Sequence, residues 1–348
     1  LIVIRKGGTY VPLFFKLYLW ILQIWYRSFT AMKVTKINQF KVGKQIQGFF
    51  LCCEKHVRTT RSGELYLDLI LQDSSGRISG KLWDYTDKYM DAFNRGDPVA
   101  VKGIPSSYQN DTQLTISHIN YADEKRYGKY GFDPNHLVPS IKESVEDLHN
   151  ALLNVVNSIM DSNLKNLVST IIDKYWQQIS IIPASTGFHH SIKGGYLKHM
   201  VSCGKIAVSL SGHYDNLSGD LVIAGALLHD IGKVRSIGDG LDPEKTTEGR
   251  LEGHIIMGRD IVLEESLQYP KLDGIIKQKL LHIILSHQGN PQKGSTVTPR
   301  FPEALLVHFI DNMDGKLNLM QDAIDNLSDI EEWSDRKNYF RTELWNKR

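Results

Sequence analysis

Apolar residues change their spacing partway along this chain, and that change limits the folds open to it. From Lys44 to Tyr121 they fall at every second position, or in short blocks, between clusters of turn-forming residues. From Ile141 onward they recur at every third or fourth position. A period of two puts alternate side chains on opposite faces of a strand, and a period of 3.6 builds one face of a helix. The 348 residues, at roughly 100–200 residues per domain, read as two domains, all-β first and all-α second.

The β half resolves into strands at Gln45–Cys53, Glu64–Leu71, Arg77–Trp83, Pro98–Ile104 and Gln113–Tyr121, with a short helix expected at Thr86–Phe93. Asp73-Ser74-Ser75-Gly76 supplies a turn, and Gly96-Asp97 ends the helix. Three strands, a helix and two strands match the five-stranded Greek-key barrel called the OB-fold. The period alone also allows another small barrel. Barrels that grip single strands set cations along the backbone path and aromatic rings under the bases. Phe49, Lys55, Arg58, Arg61, Tyr66, Arg77, Lys81, Trp83 and Tyr108 are the candidates here. Lys55, Arg58 and Arg61 are expected in the loop between the first two strands. That cluster weighs more than any single residue, since half the aromatics of a strand face the core.

Charge sharpens this. Lys+Arg is 41 against Asp+Glu 39, a net charge of only +2. No global basic field points to nucleic acid, so such binding needs a local groove. With three cysteines, Cys52, Cys53 and Cys203, and no C-x-x-C pair, neither a disulfide scaffold nor a zinc knuckle is available. A reducing, cytoplasmic setting is the expectation.

Asp123–Ser140 is polar with Gly and Pro and reads as a linker. Ser144 then caps a helix with an apolar stripe at Leu148, Leu152, Val155, Val156 and Ile159. Further helices are expected at Ser162–Trp176, Ser191–Ser211, Ser218–His229, Arg250–Glu265, Leu272–Leu285 and Pro302–Leu319. The expected organisation is a barrel at 32–122, a linker at 123–143, a helical domain at 144–325 and a helical tail at 326–348. Apolar surface around the helices would permit a homo-oligomer. Residues 1–31 hold an apolar run, Val11–Tyr26, broken by Pro12, Lys16 and Gln23. It is shorter than the ~20 residues a spanning helix needs. We read Met32 as the natural start and a membrane anchor as the second choice, so no stable membrane association is expected unless that segment is real.

The chemistry lies in a series of histidines and aspartates: His199, the adjacent pair His229-Asp230, His254, His287 and Asp311. Taken singly, a histidine on an apolar helix is more often a hydrogen-bonded core residue than a ligand. An ordered set spread over several helices favours a metal. Imidazole and carboxylate donors suit Mn, Fe, Co, Ni or Zn, and the absence of a thiolate argues against a structural zinc. An Asp next to a His can bridge two ions while the His binds one. Cys203 reads as a helix core residue.

This order, with HDIGK at its centre, resembles the HD-domain metal-dependent phosphohydrolase superfamily. The stretches FHHSIKGGYLKHMVS, LLHDIGKV, EGRLEGHIIMG, HIILSHQGNPQKGSTVTP and PEALLVHFIDNMDGKL, with TTRSGELYLDLILQDSSGRISGKLWD in the β half, are similar to the YhaM-type 3′→5′ exoribonucleases. The likeness runs from about Phe40 to Leu319. It implies that His199, His229, Asp230 and Asp311 bind one divalent ion, with Asp230 bridging, and that His254 and His287 hold a second. The ion expected is Mn, with Co, Fe, Ni, Zn or Mg as substitutes. Lys233 would contact a phosphate, and Asp230, Lys233 and His190 would serve catalysis. His190 would stand behind the ligands or touch substrate. One position departs from the family: Gln288 stands where a second consecutive histidine is usual, which puts full occupancy of the second site in doubt. The implied activity is hydrolysis of single-stranded RNA, or of single-stranded DNA, from the 3′ end to 5′-mononucleotides. Two alternatives stay open: an HD phosphohydrolase acting on small nucleotides, and a weakly active RNA-binding protein. His282 and His308 are expected to be orienting or core residues.

Overall fold

The computed structural model describes residues 34–109, 111–185, 190–327 and 330–347. The expectations for residues 1–31 lie outside them, as does His189 of the FHHSIKGGYLKHMVS stretch. The chain divides between Pro139 and Ser140 into two compact units.

The first unit is a closed five-stranded barrel: β1 (Ile46–Thr59), β2 (Leu65–Asp73), β3 (Gly76–Leu82), β4 (Pro98–Tyr108) and β5 (Asp111–Tyr121). The strand order is β1-β2-β3-β5-β4, with β4 pairing back onto β1 and β3 parallel to β5. Leu67, Leu69 and Leu71 alternate inward and pack with Phe50, Val99, Val101, Leu114 and Ile119, all buried. Between β3 and β4 lies the short helix α1 (Thr86–Tyr89). The OB-fold expected from the strand count is the fold observed.

β1 runs further than its apolar stretch suggests and carries a bulge. Cys52 pairs with Leu71 but Glu54 pairs with Ile70, so Cys53 is the extra residue. A bulge of one residue reverses which side chains face in. Beyond it, Lys55 and Val57 pair with the inward Leu69 and Leu67, while His56 and Arg58 oppose the outward Asp68 and Tyr66.

The segment expected as a linker is folded over much of its length. Helix α2 (Glu124–Tyr127) and the turns after it bury Tyr127 and Phe132, whose rings pack edge-on against Phe49 at 5.6 and 5.2 Å. Phe49, a candidate base platform, therefore serves packing. The polar composition of 123–143 hid these two aromatic anchors.

The second unit is helical: α3 (Val145–Asn157), α4 (Ser162–Lys174), α5 (Trp176–Ile181), α6 (Gly195–Leu210), α7 (Gly219–Leu228), α8 (Lys233–Ser236), α9 (Thr247–Leu251), α10 (His254–Ser266), α11 (Gly274–Ser286) and α12 (Pro302–Asp325). Ser144 caps α3 as expected, accepting from the Asp147 N–H. Residues Leu221 to Leu228 of α7 are all buried, as a helix apolar on every side requires. It is the core helix: Gly225 has no room for a Cβ, with Ile283 of α11 and Val307 of α12 about to touch it. No described helix is long and apolar enough to cross a membrane. The tail departs from expectation. Residues 330–347 contain no helix; an antiparallel bridge joins Trp333 to Trp345, whose rings stack at 6.3 Å.

Candidate metal centre and nucleic-acid face

Six side chains from five helices or their ends meet beside α7. His199 lies in the second turn of α6 and Asp311 within α12; His229 caps the C-terminus of α7 and Asp230 follows it. His254 opens α10, and His287 caps the C-terminus of α11. The Nε2 atoms of His199 and His229 are 3.3 Å apart, and Asp311 Oδ1 stands 3.4 and 3.6 Å from them. Asp230 Oδ2 lies 3.9 and 3.5 Å from the same two nitrogens. Its other oxygen, Oδ1, faces His254 Nε2 at 3.2 Å and His287 Nε2 at 3.4 Å. Asp230 thus belongs to two donor clusters, one carboxylate oxygen to each, while a third group of His190, His199 and Asp314 meets at His199 Nδ1.

The local fold explains the pairing. After His229-Asp230 the chain turns at Ile231-Gly232 into α8. A Cβ at Gly232 would stand 1.9 Å from the His254 carbonyl oxygen and 2.5 Å from the Gly258 N. Only glycine lets this turn approach the start of α10 so closely, and that approach carries His254 to Asp230.

Three histidines have their outward nitrogen fixed. His229 Nδ1 donates to the Ala226 carbonyl at 2.9 Å, and His287 Nδ1 to the Ile284 carbonyl at 2.8 Å, each using a carbonyl left over at a helix end. His199 Nδ1 donates to Asp314 Oδ2 at 2.7 Å. An acceptor on Nδ1 leaves the neutral ring's lone pair on Nε2, the arrangement of metal-binding imidazoles. His308 in turn donates from Nδ1 to the His287 carbonyl at 2.6 Å.

The donors fit a cation. Ligands about 2.0–2.2 Å from a shared ion stand about 3–3.5 Å from one another, close to the separations here. Asp230 Oδ1 and His254 Nε2 are buried without a hydrogen-bond partner, and such orphaned polar atoms are costly unless something binds them. Imidazole and carboxylate make up both clusters. Cys203 Sγ is buried 3.7 Å from His199 Nδ1 and 3.8 Å from its Nε2, and belongs to neither.

The charges are strongly coupled. Burial alone would lower the His229 pKa, but Asp230 and Asp311 outweigh it and raise it to about 10. Burial would raise Asp230, but Lys233 and His229 hold it well below the usual carboxylate range. Asp311 is held low by His199 and His229 in the same way, against its burial. Lys233 Nζ binds Asp230 Oδ2 directly. Lys233, His254 and Asp311 line a cavity of about 490 Å³, together with Lys245, Lys293, Lys316 and Gln288.

Asp314, one turn after Asp311, was not among the sequence candidates. Besides His199 it faces His190 Nε2 at 3.1 Å and accepts from Ser202 Oγ. His190 is buried with a backbone φ of +47°, and its N–H donates to Asn318 Oδ1 at 2.8 Å. It therefore braces Asp314 behind the centre. The i, i+3 spacing of Asp311 and Asp314 on one helix was the available signal. His282, expected to orient, accepts from the Arg300 N–H at 3.2 Å.

On the barrel, the outer face of β1–β2–β3 gathers most of the other candidates. Tyr66 and Trp83 stack at 4.6 Å and 28°. Arg58 Nε reaches Asp68 at 2.7 Å, Lys81 binds the same carboxylate, and Arg77 donates to Gln72 Oε1. Arg61 is exposed in the turn joining β1 to β2, and Tyr108 is exposed at the end of β4, beside the turn to β5. This strand 2–3 face and these two loops are where OB-folds take oligonucleotides. Lys55 departs from the expected basic loop. The bulge turns it under α1, where Nζ donates to the Met90 carbonyl at 2.7 Å and to the Phe93 carbonyl, 3.9 Å above the Phe93 ring.

Two family models match the chain. Residues 196–316 match the HD domain, and residues 55–121 match the tRNA_anti-codon family, described as an OB-fold nucleic acid binding domain. Solved structures resemble the barrel distantly. The second OB-fold domain of replication protein A from Methanococcus maripaludis is 17% identical over 26% of this chain and 96% of that one, with a TM-score of 0.23. The mitochondrial single-stranded DNA binding protein Rim1 from S. cerevisiae is 13% identical over 23% and 94%, at 0.21. A replication protein A heterotrimer bound to ssDNA is 15% identical over 30% and 82%, at 0.20. The chain therefore joins an OB-fold nucleic-acid-binding domain to an HD domain, the make-up of a nucleic-acid-binding, metal-dependent phosphohydrolase.

Proposed function

We propose that the chain is a 3′→5′ exonuclease that hydrolyses single-stranded RNA, and single-stranded DNA less readily, to 5′-mononucleotides. The observation that carries this is the double donor cluster sharing Asp230, opening into a cavity lined by four lysines. Its volume suits one nucleotide unit rather than a duplex. The 3′→5′ direction and the preference for RNA rest on the resemblance of the HD and barrel stretches to YhaM-type enzymes.

His199, His229, Asp230 and Asp311 would hold one divalent ion, and Asp230, His254 and His287 a second. Manganese is the ion we expect. Held there, such ions supply Lewis acidity, which activates water near neutral pH and offsets charge on phosphoryl oxygens. The chain's own groups do the rest. Asp311 lines the cavity as an ionised carboxylate and can accept a hydrogen bond from the attacking water. The Lys233 ammonium, seated on Asp230, faces the same space and can take up charge developing on the phosphoryl group. Gln288 also lines the cavity; we assign it to substrate contact rather than to a metal. On the barrel, Tyr66 and Trp83 offer stacking platforms between Arg58, Arg77 and Lys81. Because one chain joins the two domains, a strand held by the barrel stays at high local concentration near the HD centre.

The test uses the purified full chain with Mn and a 5′-labelled single-stranded RNA, its 3′ end either free or blocked by a phosphate. Free ends should be shortened stepwise with release of 5′-mononucleotides, blocked ends much more slowly, and neither by Asp230→Ala. Internal cuts, or decay unchanged in Asp230→Ala, would refute the proposal. Hydrolysis of nucleoside phosphates with RNA untouched would favour the small-nucleotide reading.

A further inference from the structure

Tyr339 lines the same cavity from the C-terminal segment. It is more than half exposed, yet its backbone is tightly held. Asn338 Nδ2 donates to the carbonyls of Asp335 at 2.8 Å and Thr342 at 2.7 Å, and Asn338 Oδ1 accepts from the Phe340 N–H at 3.0 Å. Below the turn, the Ser334 N–H donates to the Leu344 carbonyl and the Leu344 N–H to Ser334 Oγ, both at 2.9 Å, next to the Trp333–Trp345 bridge. Phe340 packs T-shaped against the Tyr339 ring at 5.3 Å, and the Tyr339 side chain stays more than half exposed. A rigid turn that presents an exposed aromatic ring to a charged cavity costs little entropy when a flat ligand stacks on it.

The rest of the lining has matching chemistry. Lys245, Lys293 and Lys316 are exposed and form no ion pair with a described acid. Free ammonium groups attract phosphate oxygens. With a net charge of only +2 over the whole chain, their gathering here is local and makes the cavity a place for a polyanion.

We infer that the C-terminal segment is the specificity wall of the HD centre: Tyr339 stacks on the base of the terminal nucleotide while Lys293 and Lys316 hold the phosphates next to it. Stacking tolerates every base, because each has a π face, so the wall selects for a base being present and not for which base it is. The inference rests on the proposed nuclease reading for its substrate, but not for its test.

The first arm needs no turnover. A short single-stranded RNA ending in 3′-terminal 2-aminopurine is bound to the inactive Asp230→Asn protein without added metal, and the fluorescence of the probe is read. Stacking on Tyr339 quenches it; Tyr339→Phe keeps the quench, and Tyr339→Ala loses it while the phosphates still bind. Absence of quenching in the protein that retains Tyr339, or equal quenching in Tyr339→Ala, overturns the inference whether or not the protein is a nuclease. The second arm uses the active enzyme. Tyr339→Ala should raise KM for RNA about tenfold, with kcat less affected, and Tyr339→Phe should restore it. On RNA with an abasic 3′-terminal nucleotide, Tyr339→Ala and the unaltered protein should have equal KM. Equal losses on both substrates would make Tyr339 a structural residue only. Should the unaltered protein leave RNA intact, the proposed function falls, and the fluorescence arm still decides this point.

Discussion

Asp314 stands outside the two donor clusters that share Asp230, yet it holds the Nδ1 of an imidazole in one of them. Its Oδ2 holds His199 Nδ1 at 2.7 Å and faces His190 Nε2 at 3.1 Å, and its Oδ1 accepts from Ser202. Asp314→Ala leaves two buried imidazoles without that acceptor. Loss of such an outer partner costs about 10–100-fold in metal affinity, which is about 1.4–2.8 kcal/mol. Each buried donor left unsatisfied costs a further ~1–3 kcal/mol of stability. At about 2–4 °C per kcal/mol for a domain of this size, the melting temperature should drop visibly. Asp314→Asn is milder: its carbonyl oxygen can still face both histidines while its NH2 turns to Ser202, so only the negative charge is lost. The expected order of affinity is wild type, then Asn, then Ala. Competition against a chromogenic chelator measures it on protein whose helical circular dichroism is intact. A folded Ala variant that binds metal as tightly as wild type, or an Asn variant weaker than Ala, would refute the view that this carboxylate sets the His199 lone pair.

Gly232→Ala pushes a Cβ into the His254 carbonyl. It should destabilise the protein by about 1–3 kcal/mol, the usual cost of overpacking, and lower the metal stoichiometry by pulling His254 from Asp230, while Gly240→Ala, with nothing near its Cβ, should do neither. Metal binding at neutral pH should release protons, because His229, with its pKa near 10, must give up the Nε2 proton first; calorimetry in buffers of different ionisation enthalpy counts them, and affinity should rise with pH. In the metal-free protein the raised His229 stabilises fully below its ordinary value of 6.5 and loses that contribution as pH climbs through about 10. The depressed Asp230 and Asp311 stabilise above their ordinary value of 3.8 and lose that as pH falls, so the melting temperature should peak between about 4 and 6.5. On the barrel, Trp83→Ala should weaken single-stranded RNA binding by about 1–3 kcal/mol with little effect on melting. Lys55→Met should do the reverse, since its ammonium caps carbonyl groups of the protein itself.

The barrel was readable because its inward residues alternate strictly along β2 and its turns carry Asp, Ser and Gly. What alternation could not reveal was the extra residue at Cys53. A bulge leaves no mark in composition, and it moves every later residue of β1 to the opposite face. Lys55 and Arg58 therefore look alike in the sequence and end on different sides of the sheet. The segment after the barrel was misread for a related reason. Two aromatic residues, Tyr127 and Phe132, outweigh a dozen polar ones when a neighbouring Phe49 waits to cover them.

The metal centre shows the same division between chain order and spatial neighbourhood. His199, His229-Asp230, His254, His287 and Asp311 could be grouped because each sits in its own short run of sequence, all but Asp311 near a helix end. Their supporting atoms could not. The carbonyls of Ala226 and Ile284 that fix two imidazoles are backbone, which any sequence supplies. Asp314 acts on a histidine 115 positions earlier, and only the packing of α12 on α6 joins them. The C-terminal segment is the sharpest case. Trp333, Tyr339, Phe340 and Trp345 lie in a stretch read as a helical tail, but Asn338 spends its side chain on three backbone groups and closes a turn instead. Local hydrogen bonding by Asn competes with helix formation in just this way, and here its outcome puts an aromatic ring in the wall of the cavity that the lysines line.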